Sequence, residues 1–137
     1  MPITYSDQKD FTPEELQRLF LSVGWQSGRY PDKLSIAMKN SATVYSAWED
    51  GCLVGLVNAL DDGIMTAYVH FLLVDDACQG QGIGGRLMEM LTEKYKNYHY
   101  IILLSETTQT IPFYERYGFY VLETSTPMGV KKAGGGC

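Results

Sequence analysis

Apolar and polar residues change rhythm several times along the chain. Leu16, Leu19, Phe20 and Val23 recur three and four apart, the spacing of one helix face. The preceding "TPEE" supplies Thr12 as N-cap, Pro13 at the first helical position and Glu15 to close a capping box, and Gly24 suits the helix end. "YPDKLSIAMKN" repeats the arrangement: Pro31 opens, Leu34, Ile36 and Met38 are apolar, and Asn40 ends it. Ahead of both, residues 3–5 predict a short edge strand. The middle changes period. "TVYSAW" (43–48), "CLVGLVNAL" (52–60) and "MTAYVHFLLV" (65–74) are rich in β-formers, and Asp50-Gly51 and Asp62-Gly63 separate them as tight hairpin turns. That predicts an antiparallel meander.

Helical spacing then returns. "GRLMEMLTEKYKNY" sets Leu87, Met90, Leu91 and Tyr95 along one face, and Met88 and Met90 read as core rather than as a cofactor contact. "YIILLSE" (100–106) predicts a buried strand and "TIPFYERYG" a short helix ended by Gly118. "FYVLET" and "MGVKK" predict closing strands. The order of elements predicts one α/β domain over 1–132, a mixed, mostly antiparallel sheet flanked by helices. Residues 133–137, "AGGGC", are expected to form a flexible tail.

Composition narrows the function. A chain of 137 residues, 45% hydrophobic and 20% charged, has the makings of one globular core. A net charge of -5 argues against nucleic acid as partner, though local amides can still hold a small anion. The apolar runs are too short to cross a bilayer, and "MPITYSDQKD" lacks the order of a signal peptide, so no membrane partner is expected. Cys52, Cys78 and Cys137 lack metal-ligand spacing, which predicts no metal and a reducing cytoplasm. Cys78 has no base or cation beside it in sequence to make it a reactive thiolate.

The stretch "VDDACQGQGIGGRL" carries the chemistry. Gln79, Gly82 and Gly84 fit a Gln/Arg-x-x-Gly-x-Gly/Ala pattern between a strand and a helix. A helix N-terminus has unpaired amides and partial positive charge, and glycines let a diphosphate reach them. The alternative is that these glycines serve only a tight turn or helix–sheet packing. A Walker A loop is excluded, since Arg86-Leu87 follows Gly85 where Lys-Ser/Thr is needed. Gly80-x-Gly82-x-x-Gly85 also matches the dinucleotide fingerprint, with Glu106 near the position of a ribose-binding acid. Residues 75–79, however, separate it from its strand.

"LLVDDACQGQGIGGRLME", "YIILLSE" and "IPFYERYGF" together resemble the GNAT N-acetyltransferase superfamily, over nearly the whole chain. Within it, "ELQRLFLSVGW", "PDKLSIAMKNS" and "GLVNALDDGIMTAYVHFLLVD" are similar to small bacterial and plastid members that include serotonin-type, aralkylamine-like enzymes. The resemblance implies acetyl-CoA as co-substrate. It implies that the backbone of Leu72, Leu73 and Val74 pairs with the pantetheine arm, and that main-chain groups of Gly80, Gln81, Gly82, Ile83, Gly84 and Gly85 hold the pyrophosphate, with Gln79 opening the loop. Tyr114 falls on the family's tyrosine, whose hydroxyl protonates the departing thiolate. Thr107 stands where many members carry Asn at the pantetheine arm.

The acceptor amine must lose a proton before or during attack. In the family the Val74 N–H faces the charge that develops on the carbonyl oxygen. Tyr68, His70, Leu72 and Val74 are expected on one face of that strand by the two-residue period, and His70 is the one with a pKa near neutrality. His70 or a water chain then takes the proton, with Glu106 or Asp61-Asp62 as possible attractors of the ammonium. Aromatics such as Trp25, Trp48 and Tyr68 favour a small, partly apolar amine as partner. A protein N-terminus or lysine is the alternative acceptor, and a non-catalytic acyl-CoA sensor the alternative function. A homodimer is a family-level expectation.

Overall fold

The computed structural model describes residues 2–131. Five strands form one sheet in the order β1 (Ile3–Ser6), β2 (Thr43–Glu49), β3 (Cys52–Asp61), β4 (Thr66–Val74) and β5 (Tyr100–Leu103). The first four pair antiparallel with their sequence neighbours, and β5 joins β4 in parallel. This is the mixed α/β sheet that the residue pattern implies. The β2–β3 turn is the two-residue hairpin expected, with Asp50 and Gly51 at φ 51° and 78°, left-handed values that match the twist of the strands. The β3–β4 connection is longer: the Asp62 carboxylate gathers the amides of Ile64, Met65 and Thr66 at 2.9, 2.7 and 3.1 Å.

Helices α1 (Pro13–Ser22) and α2 (Pro31–Asn40) cover one face. The capping box at Thr12 and Glu15 is formed as expected, and Leu16, Leu19, Phe20, Leu34 and Met38 enter the core while Ile36 stays exposed. Helix α3 (Ile83–Lys94) covers the other face. Its buried face is Ile83, Leu87, Met88 and Leu91, continued by Tyr95, so Met88 is in the core as expected while Met90 is only half-buried. Gly55 on β3 lets α3 lie close, since a Cβ there would stand 3.0 Å from Ile83 Cγ2 and 3.4 Å from Leu87 Cδ1. Fully burying each of these aliphatic side chains contributes roughly 1.5–3 kcal/mol. Tyr95 anchors the far end: its hydroxyl donates to Asp61 Oδ2 at 2.7 Å and accepts from Thr43 Oγ1 at 2.7 Å, and burial pushes its pKa up.

The strand expected to be buried over 100–106 ends at Leu103, with Tyr100 exposed and the rest half-buried. Two further expectations fail. No strand forms in 119–131: these residues run irregularly, with Tyr120, Val121, Leu122, Met128 and Val130 exposed. The composition favours β structure, but a strand needs a ladder partner, and none lies alongside among the described residues. Lys132 of "MGVKK" and the expected tail at 133–137 lie outside the described residues. The second failure is the alternation along β4. Asn58 pairs with Phe71 and Ala59 with Val69, so His70 is an extra residue in a β-bulge. Ala67 and Val69 face α3, and beyond the bulge Leu72 and Val74 face it too, while Phe71 and Leu73 turn toward α1. Tyr68 and His70 therefore do not share a face with Leu72 and Val74.

Candidate active site

β5 pairs with Thr66, Ala67, Tyr68 and Val69 and stops there. From the bulge onward, β4 has β3 on one side and no strand on the other among the described residues. The direction of its free groups follows from the ladder. Asp75 N–H donates to Val54 O at 2.8 Å, so the pairs 54/75 and 56/73 are the bonded ones and the pairs 55/74 and 57/72 are not. The N–H and C=O of Leu72 and Val74 thus point into the open edge.

The chain turns from that edge into α3. Asp75 is buried, and Arg18 of α1 holds it at 2.8 Å while also donating to Leu53 O. That bond, with the Ala77 amide, keeps the Asp75 carboxyl below the usual carboxylate range. Gln79 Nε2 donates to Val74 O at 3.1 Å and Asp76 Oδ1 at 3.0 Å, tying the turn to the strand end. Gly80 and Gly82 take φ of 85° and 79°, conformations that side chains with a Cβ resist, and Gly82 is the N-cap of α3. No side chain caps this helix, and its first bond returned to the turn is Arg86 N–H to Gly82 O at 3.0 Å. The amides of Ile83, Gly84 and Gly85 therefore begin the helix without a side-chain partner. A Cβ on Gly84 would fill the gap to Phe113 at 3.5 Å and Val74 at 3.7 Å. This bare-backbone cradle fits a diphosphate.

A cavity of about 540 Å³ joins these parts. Leu72, Leu73, Val74, Gln79, Gly80, Gly82, Ile83, Gly84 and Gly85 line it, and so does Tyr114 from α4 (Ile111–Glu115). Tyr114 packs edge-on against Phe113 at 5.2 Å and Phe119 at 6.0 Å. Burial, and then the negative charge of Glu106, raises its phenol pKa, so the proton stays on oxygen at neutral pH. Cys78 also lines the cavity, but burial and the carboxylates of Glu49 and Asp75 raise its thiol pKa, which opposes a thiolate role.

Other expected residues lie apart. His70 and Gln81 do not line the cavity, and Thr110 lines it where Thr107 does not. His70 lies flat against Phe71 with centroids 3.8 Å apart, and this partial burial lowers its pKa. Asp61 and Asp62 serve the β3–β4 turn through bonds to Gly63, Tyr95 and the turn amides, at the opposite end of β4 from Val74. Val23 and Trp25 form a wall with no sequence motif to announce it, and Arg18 likewise carries only a helical position. The β4–α3–β5 crossover is itself parallel, so topology alone does not separate this turn from a dinucleotide fingerprint. The separation of the turn from its strand and the open edge of β4 do.

The open edge of β4 leading into a glycine-turned helix is the arrangement that the resemblance in the sequence implies. The chain belongs to the GNAT acetyltransferases: residues 8–129 match the acetyltransferase (GNAT) domain. A GNAT-family acetyltransferase of Streptococcus pneumoniae is 30% identical with a TM-score of 0.83, covering 96% of this chain and 99% of that one. The histone acetyltransferase TAP1 of Glycine max is 32% identical over 94% of this chain and 59% of its own length. The chloroplastic GCN5-related N-acetyltransferase 2 of Arabidopsis thaliana is 29% identical over 94% of this chain and 56% of its own. The chain thus spans somewhat over half the length of these curated relatives. No helix among the described residues is long and apolar enough to cross a membrane.

Proposed function

We propose that this protein moves an acetyl group from acetyl-CoA to a small primary amine by direct attack within a ternary complex. The observation that carries the reading is the open edge of β4, which runs into the uncapped N-terminus of α3 with Tyr114 on the facing wall. Acetyl-CoA, when bound, supplies the activated thioester. The outward amides of Leu72 and Val74 donate to groups laid along the edge, the Val74 N–H to the charge growing on the carbonyl oxygen. Amides of residues 80–85 hold the diphosphate, Gln79 fixes the turn, and Thr110, which lines the cavity where Thr107 does not, contributes at the pantetheine arm. His70, outside the cavity wall and with a lowered pKa, takes the ammonium proton through water. As the new N–C bond forms and the C–S bond breaks, the proton remaining in excess on nitrogen passes to solvent, the Tyr114 O–H proton passes to the leaving sulfur, and solvent restores the phenol.

An aromatic run supports a partly apolar, aralkylamine-like acceptor. Trp25 meets Phe71 at 5.9 Å, Phe71 meets His70 at 3.8 Å, and His70 meets Tyr68 at 5.7 Å. A second reading, acetylation of a protein lysine or N-terminus, is favoured by the soybean relative, which is named a histone acetyltransferase. Thiol release from acetyl-CoA with aralkylamines, polyamines and a histone-type peptide separates them. Turnover with the peptide alone would overturn the small-amine acceptor, and acetyl-CoA binding without turnover on any amine would favour the sensor reading.

The reducing setting suits a cytoplasmic enzyme, with the plastid of the Arabidopsis relative as the second location. A homodimer belongs to the same proposal, supported by the exposed apolar residues of 119–131. A monomeric mass by light scattering at micromolar concentration would remove it.

A further inference from the structure

A strand interior disfavours asparagine, yet Asn58 sits there at 2% exposure, opposite the bulge of β4. Its bonds explain its presence. Oδ1 accepts the Phe71 N–H at 2.9 Å, and Nδ2 donates to Ser41 Oγ at 3.1 Å. Ser41, equally buried, donates its hydroxyl to Ala37 O at 2.8 Å at the end of α2. A continuous chain of hydrogen bonds therefore runs from α2 through Ser41 and Asn58 to the backbone of β4.

The Phe71 amide is the first beyond the extra residue, His70. In an unbroken ladder a main-chain carbonyl would receive such an amide, and side chains and amides would alternate without interruption. Ala67 and Val69 are committed to the α3 core, so an unbroken strand would turn Leu72 and Val74 to the other face. Their amides would then point toward β3 instead of into the open edge. The bulge prevents this, and the Asn58 side chain supplies the acceptor that the bulged backbone needs.

We propose that Asn58 is a positioning residue for acetyl transfer: anchored by Ser41, its amide holds the β4 bulge that aims the Leu72 and Val74 amides into the open edge. The functional part rests on the acetyl-CoA reading above; the structural part does not. Loss of the lock should act on the site beyond its effect on stability.

The test compares Asn58→Ala, Asn58→Asp and Ser41→Ala with wild type by amide hydrogen exchange, acetyl-CoA titration and thiol release with phenylethylamine. In folded Asn58→Ala, exchange at Phe71 should rise about tenfold or more relative to Leu73, since its protecting acceptor is gone. Acetyl-CoA should bind about tenfold more weakly, the loss of roughly one hydrogen bond's worth of order at the edge. Turnover at saturation should fall by up to about 10²-fold, the effect of a misplaced reacting group. Asn58→Asp keeps an oxygen acceptor for Phe71 but loses the donor to Ser41, so it should protect the Phe71 amide and bind acetyl-CoA better than Asn58→Ala while falling short of wild type. Folded Asn58→Ala with wild-type Phe71 exchange, or with wild-type affinity and turnover despite lower stability, overturns the proposal. Should Asn58→Ala not fold, Ser41→Ala decides: faster Phe71 exchange with weaker acetyl-CoA binding supports the lock, and wild-type values for both overturn it. Wild-type protein that binds no acetyl-CoA would sink the functional reading, while exchange at Phe71 would still judge the lock itself.

Discussion

The two halves of β4 differ in what flanks them. Thr66, Ala67, Tyr68 and Val69 lie between β3 and β5, hydrogen-bonded on both edges, and Ala67 and Val69 are buried under α3. Residues 71–74 keep only β3, and the groups that a further strand would have used face a cavity. One strand thus serves two purposes: where its ladder is complete it contributes stability, and where the ladder is broken it offers donors and acceptors to a ligand. The change falls at one extra residue.

Substitutions should divide along the same line. The largest effect belongs to the wall opposite the open half. Tyr114→Phe keeps the ring and removes the proton, so kcat should fall roughly 10³-fold while acetyl-CoA affinity stays near wild type, as thiol release and calorimetry would record. Equal turnover would return Tyr114 to a packing role. At the bulge, His70→Ala should lower the chemical rate roughly 10²-fold and leave acetyl-CoA affinity nearly unchanged.

The pH profile sharpens that assignment. Partial burial holds the His70 pKa below its ordinary 6.5. Only the neutral ring accepts a proton, so wild-type kcat/KM should fall as pH drops through an apparent pKa below that value. His70→Ala should lose this limb, and its rate should recover partly at high pH, where more amine arrives unprotonated.

Next along the open half, Gly82→Val forces a branched side chain to φ 79° and crowds the anion cradle. Acetyl-CoA should bind about tenfold more weakly, consistent with a left-handed cost of roughly 1–2 kcal/mol for a residue bearing a Cβ. Unchanged affinity in the folded variant would mean that the glycine serves the turn alone. The smallest effect on chemistry is expected in the paired half. Val69→Ala removes two buried methyl groups and should cost about 1–2 kcal/mol in chemical denaturation. Its acetyl-CoA affinity should match wild type, and a loss there would erase the distinction between the halves.

Much of this was legible in the sequence because the signals are local. The capping box at Thr12 and Glu15, the turn at Asp50-Gly51 and the helical spacing before and after the meander each depend on residues close in sequence. The glycine turn was legible for the same reason, since backbone conformation and helix start are decided within a few residues. The bulge was not. It depends on the Asn58 side chain reaching the Phe71 amide across the sheet, which a two-residue period cannot register. Val23 and Trp25 reach the cavity only through the packing of α1 and the turn after it. Residues 119–131 show the converse error, because β propensity was present without a neighbouring edge to satisfy it.

The wall containing Val23 and Trp25 has a consequence for the order of events during synthesis. The cavity closes between those early residues and Thr110, Phe113 and Tyr114 near the other end of the chain. The four antiparallel strands pair with sequence neighbours and can zip together as each emerges. The cavity cannot, for its last wall is translated after every strand of the described residues. A nascent chain that has assembled most of its sheet is therefore still an incomplete enzyme, with the open half of β4 exposed to whatever else in the cell seeks an unpaired edge.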